Sequence, residues 1–423
     1  MTDLNAPVAA MFDFRFLERR PVVVGLEIGT AKVCALVGEI NTEGALTVIG
    51  IGQCPSRGVR KGEIVEPALA EEDVRRALAD AEHSADVEIR SVYLGVSGGH
   101  LQGFNNRGVQ PIVSRDREIV AEDVKDVIRN AKAINIPADH YVVHAVRQHF
   151  SVDDQDEIRD PVGMLGGRLE VEMHVIHGKT NRFQNAIRLV KGMHLDVEDV
   201  VFTGLASSLA VLTAEQKELG SLVIDLGAGC TEYVIYSRGV VKHTGVLAVG
   251  GDHVSQDIAL GLKIPQGRAE KLKLEHGDAL FDETARGLSI APQNELGLPE
   301  RPLNIEHLRC VMSLRLQEIF EIIREEIDEA GWLNQLRAGV VICGGGARIP
   351  RVLELAERVF ELPAFDGHAR GISGLASALD QPEFSSVIGL VKFGAGQQRK
   401  KKERGAWRRL ADWAPARFLM NLI

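Results

Sequence analysis

The sequence predicts an α/β protein of two related lobes that face each other across a ligand cleft. Two segments carry this prediction, Pro21 to Gly38 and Ser221 to Gly251, because each has the pattern of a β-hairpin: apolar, β-rich runs on both sides of a glycine-containing turn. They lie about 200 residues apart and each opens a β-then-α unit. Such a repeat indicates two halves of one fold, with a ligand between them.

Composition and charge narrow the class of protein. The chain has 423 residues, 45% hydrophobic and 26% charged, which is enough for more than one core. Its formal net charge of -10 argues against a surface built for nucleic acid. Five cysteines show no metal-ligand spacing, and their odd number favours a reducing cytoplasm. The N-terminus lacks the pattern of a secretory signal, and no run approaches the ~18 apolar residues of a spanning helix.

The two hairpin turns are candidate anion sites. The first turn, Glu27 to Lys32, places a glycine and a hydroxyl between two apolar strands, and successive N–H groups in such a turn form an anion-binding nest. Taken alone, it is better explained as an ordinary hairpin turn. The second turn, Asp225 to Thr231, has the same layout with an acid just before it. A carboxylate there can hold Mg²⁺ through water while backbone amides hold phosphates.

A third segment, Val340 to Pro350, runs from an apolar strand into Gly344, Gly345 and Gly346. Bare backbone at the C-terminal end of a strand lets a flat base lie against it, at the edge where α/β sheets usually bind ligands. Glycine triplets also occur in plain loops, and each of the three signals is weak by itself. Their order, at separations of about 200 and about 120 residues, favours a nucleotide cleft.

These motifs resemble a known superfamily. The ordered set LEIGTAKV, VIDLGAGCTEYVIY, GGDHVSQDIA and VICGGGARIP is similar to the two phosphate loops and the adenosine loop of actin, sugar kinases and DnaK-type chaperones. The resemblance to the FtsA family of bacterial cell division is closer and covers nearly the whole chain, including CPSRGVRKGEIV (54–65), SVYLGVSGGH (91–100), DPVGMLGGRLEVEMHVI (160–176), FTGLASSLAVLT (202–213) and SSVIGLVKFG (385–394). It implies an actin-like two-lobed α/β fold of duplicated ribonuclease-H-like domains, with a small α/β insertion and a C-terminal amphipathic helix.

The resemblance also implies that ATP and Mg bind in the cleft. The first and second turns would contact the phosphates. Residues 269–277 would hold the ribose and adenine, and the glycine triplet would enclose the adenine. The implied residues are Glu27, Gly29, Thr30, Lys32, Asp225, Gly227, Gly229, Thr231, Gly250, Gly251, Glu270, Lys273, Gly344, Gly345, Gly346 and Arg348. Asp225 would lie nearest the metal, through water.

Three positions depart from the superfamily pattern. The superfamily usually has Asp where Glu27 stands, Gly where Ala228 stands and Asp where Glu232 stands. No residue stands out as a base to activate water. ATP binding is therefore better supported than turnover, and slow or negligible hydrolysis is expected.

The C-terminal tail predicts a second function. Residues 399–423 carry eight Lys/Arg against Glu403 and Asp412, a net charge of +6. Because the whole chain has a net charge of -10, residues 1–398 together carry -16. On a helical wheel Trp407, Phe418 and Leu422 share an apolar face, as in helices that lie in the headgroup layer of anionic membranes. A helix docked on its own protein is the alternative. The candidate membrane-contacting residues are Trp407, Arg408, Arg409, Leu410, Trp413, Phe418 and Leu422.

The predicted domains follow from these patterns. The sequence predicts an N-terminal extension (1–20), a first lobe (21–90, 173–204 and 377–393), an inserted subdomain (91–172), a second lobe (205–251 and 310–376) with an outer part (252–309), a flexible basic linker (394–404) and an amphipathic membrane helix (405–423) that breaks near Pro415. Leu303 to Ala330 is predicted as a long amphipathic helix capped by Asn304.

The FtsA resemblance further implies partners and a location. It implies self-association into filaments, binding of the C-terminal peptide of FtsZ at the outer part of the second lobe with Arg301 as a candidate contact, and recruitment of later divisome proteins. It places the protein on the cytoplasmic face of the inner membrane at the division site. Two alternatives remain open: a sugar kinase, which would need a sugar pocket and a carboxylate base, and the related pilus-assembly adaptor, which would lack the terminal membrane helix.

Overall fold

The computed structural model describes residues 21–41, 45–113, 116–281, 286–290, 302–375 and 379–413, and for 402–413 the backbone alone. Its strands are β1 (Val22–Ile28), β2 (Lys32–Ile40), β3 (Leu46–Pro55), β4 (Val59–Arg60), β5 (Glu63–Ile64), β6 (Ser91–Val96), β7 (Gln102–Pro111), β8 (His140–Val152), β9 (Gln155–Ile158), β10 (Arg168–Lys179), β11 (Asp196–Phe202), β12 (Ser221–Leu226), β13 (Thr231–Ser237), β14 (Val240–Leu247), β15 (Ser289–Ile290), β16 (Leu303–Asn304), β17 (Val340–Cys343), β18 (Ala364–Asp366) and β19 (Ser373–Gly374). Its helices are α1 (Pro67–Ala85), α2 (Ala121–Lys132), α3 (Thr180–Gly192), α4 (Thr203–Val211), α5 (Ala214–Leu219), α6 (Gly251–Leu262), α7 (Gln266–His276), α8 (Ile305–Glu329), α9 (Val352–Phe360) and α10 (Ser385–Trp413).

Two large sheets repeat one topology. The first has the strand order β11-β6-β1-β2-β3-β19, in which β1, β2 and β3 form an antiparallel meander and β6 and β11 extend it in parallel. The second, β14-β13-β12-β17-β18, has the same meander extended by two parallel strands. The predicted duplication is confirmed, and so are both hairpins.

Continuous apolar runs account for the central strands. The side chains of β1 and β2 are almost all buried, because α1 packs against one side of the first sheet and α10 packs against the other. Strands covered on both faces have no polar side to present, which is why their sequences do not alternate. Packing on both faces therefore holds the central strands of the first sheet in place.

A smaller unit is inserted between the two halves of the first lobe. It consists of the sheet β7-β10-β8-β9 with α2 packed on one face through Val127 and Ala131. The predicted start at residue 91 is wrong, because β6 is an inner strand of the first large sheet. The predicted end at 172 lies within β10, and the boundary predicted at 309 lies within α8. An apolar strand has the same pattern whichever sheet it joins, so the sequence could not locate these boundaries.

Helix α4 joins the two lobes. Almost every residue of α4 is buried, and it contacts β6 and β11 of the first sheet as well as β12, β13 and β17 of the second. It crosses α10 so closely that a Cβ added at Gly389 would overlap the carbonyl oxygen of Ala206. The Lys392 ammonium reaches the carbonyls of Leu209 and Ala210 at the end of α4. The two helices therefore form a packed crossing between the sheets.

The predicted flexible linker at 394–404 is wrong, because α10 continues through it as far as Trp413. A Cβ added at Gly394 would lie 2.5 Å from both Tyr93 and Val23, so this glycine lets the helix approach the first sheet. The basic run that follows consists of Gln, Lys, Arg and Glu, which are good helix formers. The break predicted near Pro415 lies outside the described residues.

Helix α8 confirms its sequence prediction. The side chain of Asn304 accepts hydrogen bonds from the backbone N–H groups of Glu306 (2.7 Å) and His307 (3.3 Å) and so caps the helix. The predicted apolar stripe is buried against the second lobe: Leu308, Met312, Leu316, Ile319, Ile323 and Ile327.

The α4–α10 crossing makes a stability prediction. Gly389→Ala should destabilise the protein by about 1 to 3 kcal/mol or more, because the new methyl group would overlap the Ala206 carbonyl. Gly396→Ala is the matched control in the same helix, since nothing lies within 4 Å of its added Cβ. That change should stabilise the helix by about 0.5 to 1 kcal/mol. Urea unfolding measures both, and equal free energies of unfolding for the two variants would contradict the close crossing.

Candidate functional site

The two hairpin turns have the same geometry. In the first turn the Gly29 N–H donates to the Lys32 carbonyl at 3.0 Å, and in the second the Gly227 N–H donates to the Cys230 carbonyl at 3.0 Å. A Cβ at either glycine would lie 2.8 Å from the same carbonyl oxygen. The two turns are therefore equivalent parts of the two lobes, and each needs a glycine at its first position.

The two turns meet at the centre of the molecule. A Cβ added at Gly229 would overlap the Thr30 hydroxyl and would lie 2.8 Å from the backbone N and Cα of Lys61. Thr30 in turn accepts a hydrogen bond from the Gly62 N–H at 2.9 Å. The turn between β4 and β5 thus lies between the two loops and contacts both.

The second turn is joined to the start of α6. The N–H groups of Gly251 and Asp252 donate to the carbonyls of Gly227 and Ala228, both at 2.9 Å. The Thr231 hydroxyl donates to the Val249 carbonyl at 2.8 Å, which fixes the hairpin to the segment that leads into α6 through Gly250. Ala228 does not have a positive φ, so the absence of a glycine there causes no strain.

Glu270 and Lys273 lie beside the start of α6. The Lys273 ammonium donates to the Gly251 carbonyl at 3.1 Å and to the Glu270 carboxylate at 2.7 Å. Glu270 also accepts from the hydroxyl of Ser255. The pair predicted to hold the ribose and adenine is therefore in contact with the unit that carries the second turn.

The glycine triplet follows β17, which is paired in parallel with β12. Gly344 has a φ of +81°, and its backbone lies against both Asp225 and Leu226. Gly345 has nothing within 4 Å of an added Cβ, whereas Gly346 packs on Leu226. Arg348 forms an ion pair with Glu383 at 2.7 Å. Asp225 thus stands where the second turn and the triplet come together.

Acidic side chains are concentrated beneath the two turns. Burial raises the pKa of Asp225 to about 6, although a hydrogen bond from Ser207 opposes the rise. Burial, and then the charge of Asp225, raises the pKa of Glu232 to about 8. Burial also raises the pKa of Glu27, against the opposing effect of the Lys32 ammonium. Enclosed carboxylates hold their protons more tightly, and the charge of Glu27 adds to the rise in the pKa of both Asp225 and Glu232.

Two charged atoms of the first lobe lack a partner. Among the described residues neither Glu27 Oε2 nor Lys32 Nζ has a hydrogen-bond partner, although both are enclosed. The Lys32 ammonium lies 3.9 Å from the centre of the Phe384 ring. An enclosed polar group without a partner costs about 1 to 3 kcal/mol or more, so these atoms fit a bound ligand that pairs with them. A phosphate for Lys32 and a hydrated divalent cation for Glu27 and Asp225 match the donor set.

The residues predicted to bind the cofactor lie at the two turns, the start of α6, the α7 pair and the glycine triplet, and contacts join the turns, α6, the α7 pair and Gly344. Sequence reasoning assigned no role to Lys61, Gly62 or Ser207, and it noted Glu232 only as a departure from the superfamily pattern. Lys61 and Ser207 lie in segments already singled out, 54–65 and 202–213, but nothing in those segments told them apart from their neighbours. Arg301, Phe418 and Leu422 lie outside the described residues, as do the side chains of Trp407, Arg408, Arg409, Leu410 and Trp413.

Solved structures define the class. The chain is similar to the "PilM-PilN type IV pilus biogenesis complex" (TM-score 0.63, 15% identity, 89% of this chain and 99% of that chain). It is also similar to MreB5 of Spiroplasma citri bound to ADP (TM-score 0.54, 16% identity, 90% of this chain and 98% of that chain). At such identities the likeness concerns the fold alone. The protein is an actin-like α/β protein with two duplicated lobes.

Sequence comparisons give the family. A family model described as the SHS2 domain inserted in FtsA matches residues 98–177, and one described as cell division protein FtsA matches residues 222–389. The chain is 36% identical to cell division protein FtsA of Pseudomonas aeruginosa over 377 residues (89% of this chain, 90% of that protein). It is 35% identical to the Escherichia coli K12 protein over 416 residues (94% and 99%) and 38% identical to that of Borreliella burgdorferi over 384 residues (90% and 93%). The chain belongs to the FtsA family of cell-division proteins.

Glu232 makes a prediction about stability and pH. Its side chain is 4% exposed and accepts hydrogen bonds from Thr203. Since its pKa rises from 4.5 to about 8 on folding, its contribution to stability is fully present below pH 4.5 and is lost as the pH rises to about 8. Glu232→Gln cannot ionise. The free energy of unfolding of the parent should therefore fall between pH 5 and pH 8 relative to that of the variant.

Urea unfolding at several pH values measures this difference. Glu325→Gln, on the exposed side of α8, is the control and should keep the parent's pH dependence. If the curves for Glu232→Gln and the parent ran parallel, Glu232 would not be a neutral acid in the folded protein.

Proposed function

We propose that the protein binds ATP with Mg in the cleft between its lobes. One observation carries this proposal: two equivalent turns, each closed by a 3.0 Å hydrogen bond, face each other beside an unpartnered ammonium and an unpartnered carboxylate oxygen. Backbone N–H groups in two such neighbouring turns suit a chain of phosphates. The nucleotides bound by the MreB5 structures, ADP and AMPPNP, agree with this ligand class.

In this proposal each lobe contributes to the site. Gly29, Thr30 and Lys32 contact the phosphates from the first lobe, and Gly227, Gly229 and Thr231 support them from the second. Glu27 and Asp225 hold the metal through water, and Mg when bound neutralises phosphate charge. Glu270, Lys273, Gly250 and Gly251 form the ribose side, and Gly344, Gly345, Gly346 and Arg348 enclose the adenine. Hydrolysis is slow or negligible, since the turns offer no evident base.

Asp225→Asn should weaken the binding of Mg-ATP by about tenfold or more, because the neutral amide cannot support the cation as a carboxylate does. With a pKa of about 6, the parent's own affinity for Mg-ATP should also fall as the pH drops below 6, and the variant should lose most of this dependence. Titration calorimetry at pH 5.5 and pH 7.5 measures both effects.

Asp154→Asn is the control for this experiment, since Asp154 is exposed in the turn between β8 and β9 of the inserted unit. It should bind Mg-ATP as the parent does. Unchanged affinity in Asp225→Asn at pH 7.5 would remove Asp225 from the metal site.

We further propose that the protein polymerises and links FtsZ filaments to the membrane at the division site, where it helps to recruit later divisome proteins. Membership of the FtsA family supports this role.

The C-terminal peptide of FtsZ would bind the outer part of the second lobe, with Arg301 as a candidate contact. A groove of about 470 Å³ borders this part, between α8 and α9. It exposes Phe281 (46%) and Leu314 (63%) beside Arg324 and Arg358, which suits a peptide with apolar and acidic residues.

The tail supplies the membrane contact in this proposal, which places the protein on the cytoplasmic face of the inner membrane. Within the described ranges, no helix is both long and apolar enough to cross a bilayer. The end of α10 carries a basic run and the apolar positions Trp407 and Leu410, and Phe418 and Leu422 continue that pattern in the sequence. Each buried apolar side chain contributes up to about 1.5 to 3 kcal/mol, and each basic residue about 1 kcal/mol that salt weakens.

One reconstitution experiment tests the membrane-binding tail and the proposed FtsZ-binding groove independently. Trp407→Glu should release the protein from anionic liposomes, because a carboxylate resists entry into the headgroup layer, and should leave ATP binding intact. Leu314→Glu should leave the protein on the liposomes but stop it from bringing FtsZ filaments with it. Co-sedimentation with liposomes, FtsZ and ATP measures both steps.

Gln397→Glu is the matched control for charge, since it adds the same negative charge to the same helix, upstream of the tail. It should behave as the parent does. Binding of Trp407→Glu at the parent's level would move the anchor elsewhere, with MFDFRFLERR at residues 11–20 as the next candidate.

A further inference from the structure

The turn between β4 and β5 brings a lysine of the first lobe against the second lobe. Arg60 pairs with Glu63 across this hairpin, so Lys61 and Gly62 form its two-residue turn. Both have positive φ, +50° and +74°, as a type I′ turn requires. Asn or Gly suits the first position of such a turn better than Lys does. The turn therefore does not itself explain the choice of Lys61.

Hydrogen bonding and packing hold this turn in place. The Gly62 N–H donates to the Thr30 hydroxyl of the first phosphate loop at 2.9 Å. A Cβ added at Gly62 would lie 2.8 Å from the Ser97 hydroxyl oxygen. On the other side, the backbone of Lys61 touches Gly229 of the second loop. The position of Lys61 is thus fixed by both loops.

The charge of Lys61 acts on groups of the second lobe. Its side chain is exposed, and within the part of the chain that the structure describes no ion pair involves it. Its ammonium is among the charges that lower the pKa of His253 near the start of α6, after burial, and it opposes the rise that burial gives to the pKa of Cys230 in the second loop. Lys32, enclosed and without a hydrogen-bond partner, lies in the first loop. Two cations of the first lobe, Lys32 and Lys61, thus lie at or beside the turns.

We propose that Lys61 binds the terminal phosphate of the nucleotide and so distinguishes a nucleoside triphosphate from a diphosphate. This proposal rests on the ATP site proposed above. A diphosphate can satisfy the turn amides and Lys32, whereas a third phosphate adds charge that a second cation must meet. Thr30 then acts as a positioning residue for Lys61, because it accepts a hydrogen bond from Gly62. This role is additional to the proposed contact of Thr30 with the phosphates.

Calorimetric titration with Mg-ATP and with Mg-ADP tests this assignment. Lys61→Gln keeps a polar side chain and removes the charge, so it should lower the affinity for ATP by about tenfold or more while that for ADP stays within about twofold. Lys61→Arg should restore most of the preference for ATP. Lys263→Gln is the matched control: Lys263 also has a positive φ, +57°, but caps the far end of α6. It should bind both nucleotides as the parent does.

The possible outcomes are distinguishable. Unchanged affinities in Lys61→Gln would overturn the proposal, and so would an equal loss for ATP and ADP, since that result assigns Lys61 a structural role in the turn. A parent protein that binds neither nucleotide would instead refute the proposed ATP site. Thermal unfolding of each variant confirms that the affinities are compared between folded proteins.

Discussion

Contact between the backbones of the two lobes is the constraint on which the cleft depends. Gly389 of α10 lies against the Ala206 carbonyl, and Gly229 lies against the backbone of Lys61. A side chain at Gly389 would push α10 away from the helix that joins the lobes, and one at Gly229 would push the second turn away from the first lobe, because close-packed interiors do not absorb an extra methyl group without movement. These close contacts bring the two equivalent turns together, as the proposed phosphate site requires.

The close packing of the two lobes also accounts for the raised pKa values of the acids beneath the turns. Glu27, Asp225 and Glu232 are enclosed beneath the turns, where burial raises the pKa of all three, Glu27 adds to the rise for Asp225, and both add to the rise for Glu232. In a medium of low dielectric such a cluster favours neutral acids. A bound divalent cation would reverse that preference for the acids nearest to it. The fold therefore holds this cluster at a cost to stability that a bound cation would offset, an arrangement that is commoner in binding sites than in cores.

Sequence reasoning was most reliable where a pattern is local. The hairpins, the cap of α8 and the positions of the glycines follow from turn chemistry and periodicity, and the structure has them where they were expected. The partners of Thr30 and Asp225 could not be predicted, because Gly62 and Ser207 are more than fifteen residues away along the chain and meet them only after folding. The linker at 394–404 was wrong for a related reason: its glycines and its lack of apolar periodicity suggested a solvated coil, but the packed helix before it supplies a nucleus from which the helix continues.

The continuity of α10 changes how the tail relates to the cleft. The helix begins against the first sheet, crosses α4 at Gly389 and runs without interruption to Trp413. From the crossing to Trp413 it extends about 36 Å, at 1.5 Å per residue. A flexible linker would isolate the tail from the lobes, whereas a helix transmits their motion: a rotation of about 10° at the crossing displaces its far end by about 6 Å. Because α4 contacts both sheets, any change in the angle between the lobes acts first on this crossing. The basic run at the end of α10 is therefore connected mechanically, and not only by the chain, to the site between the lobes.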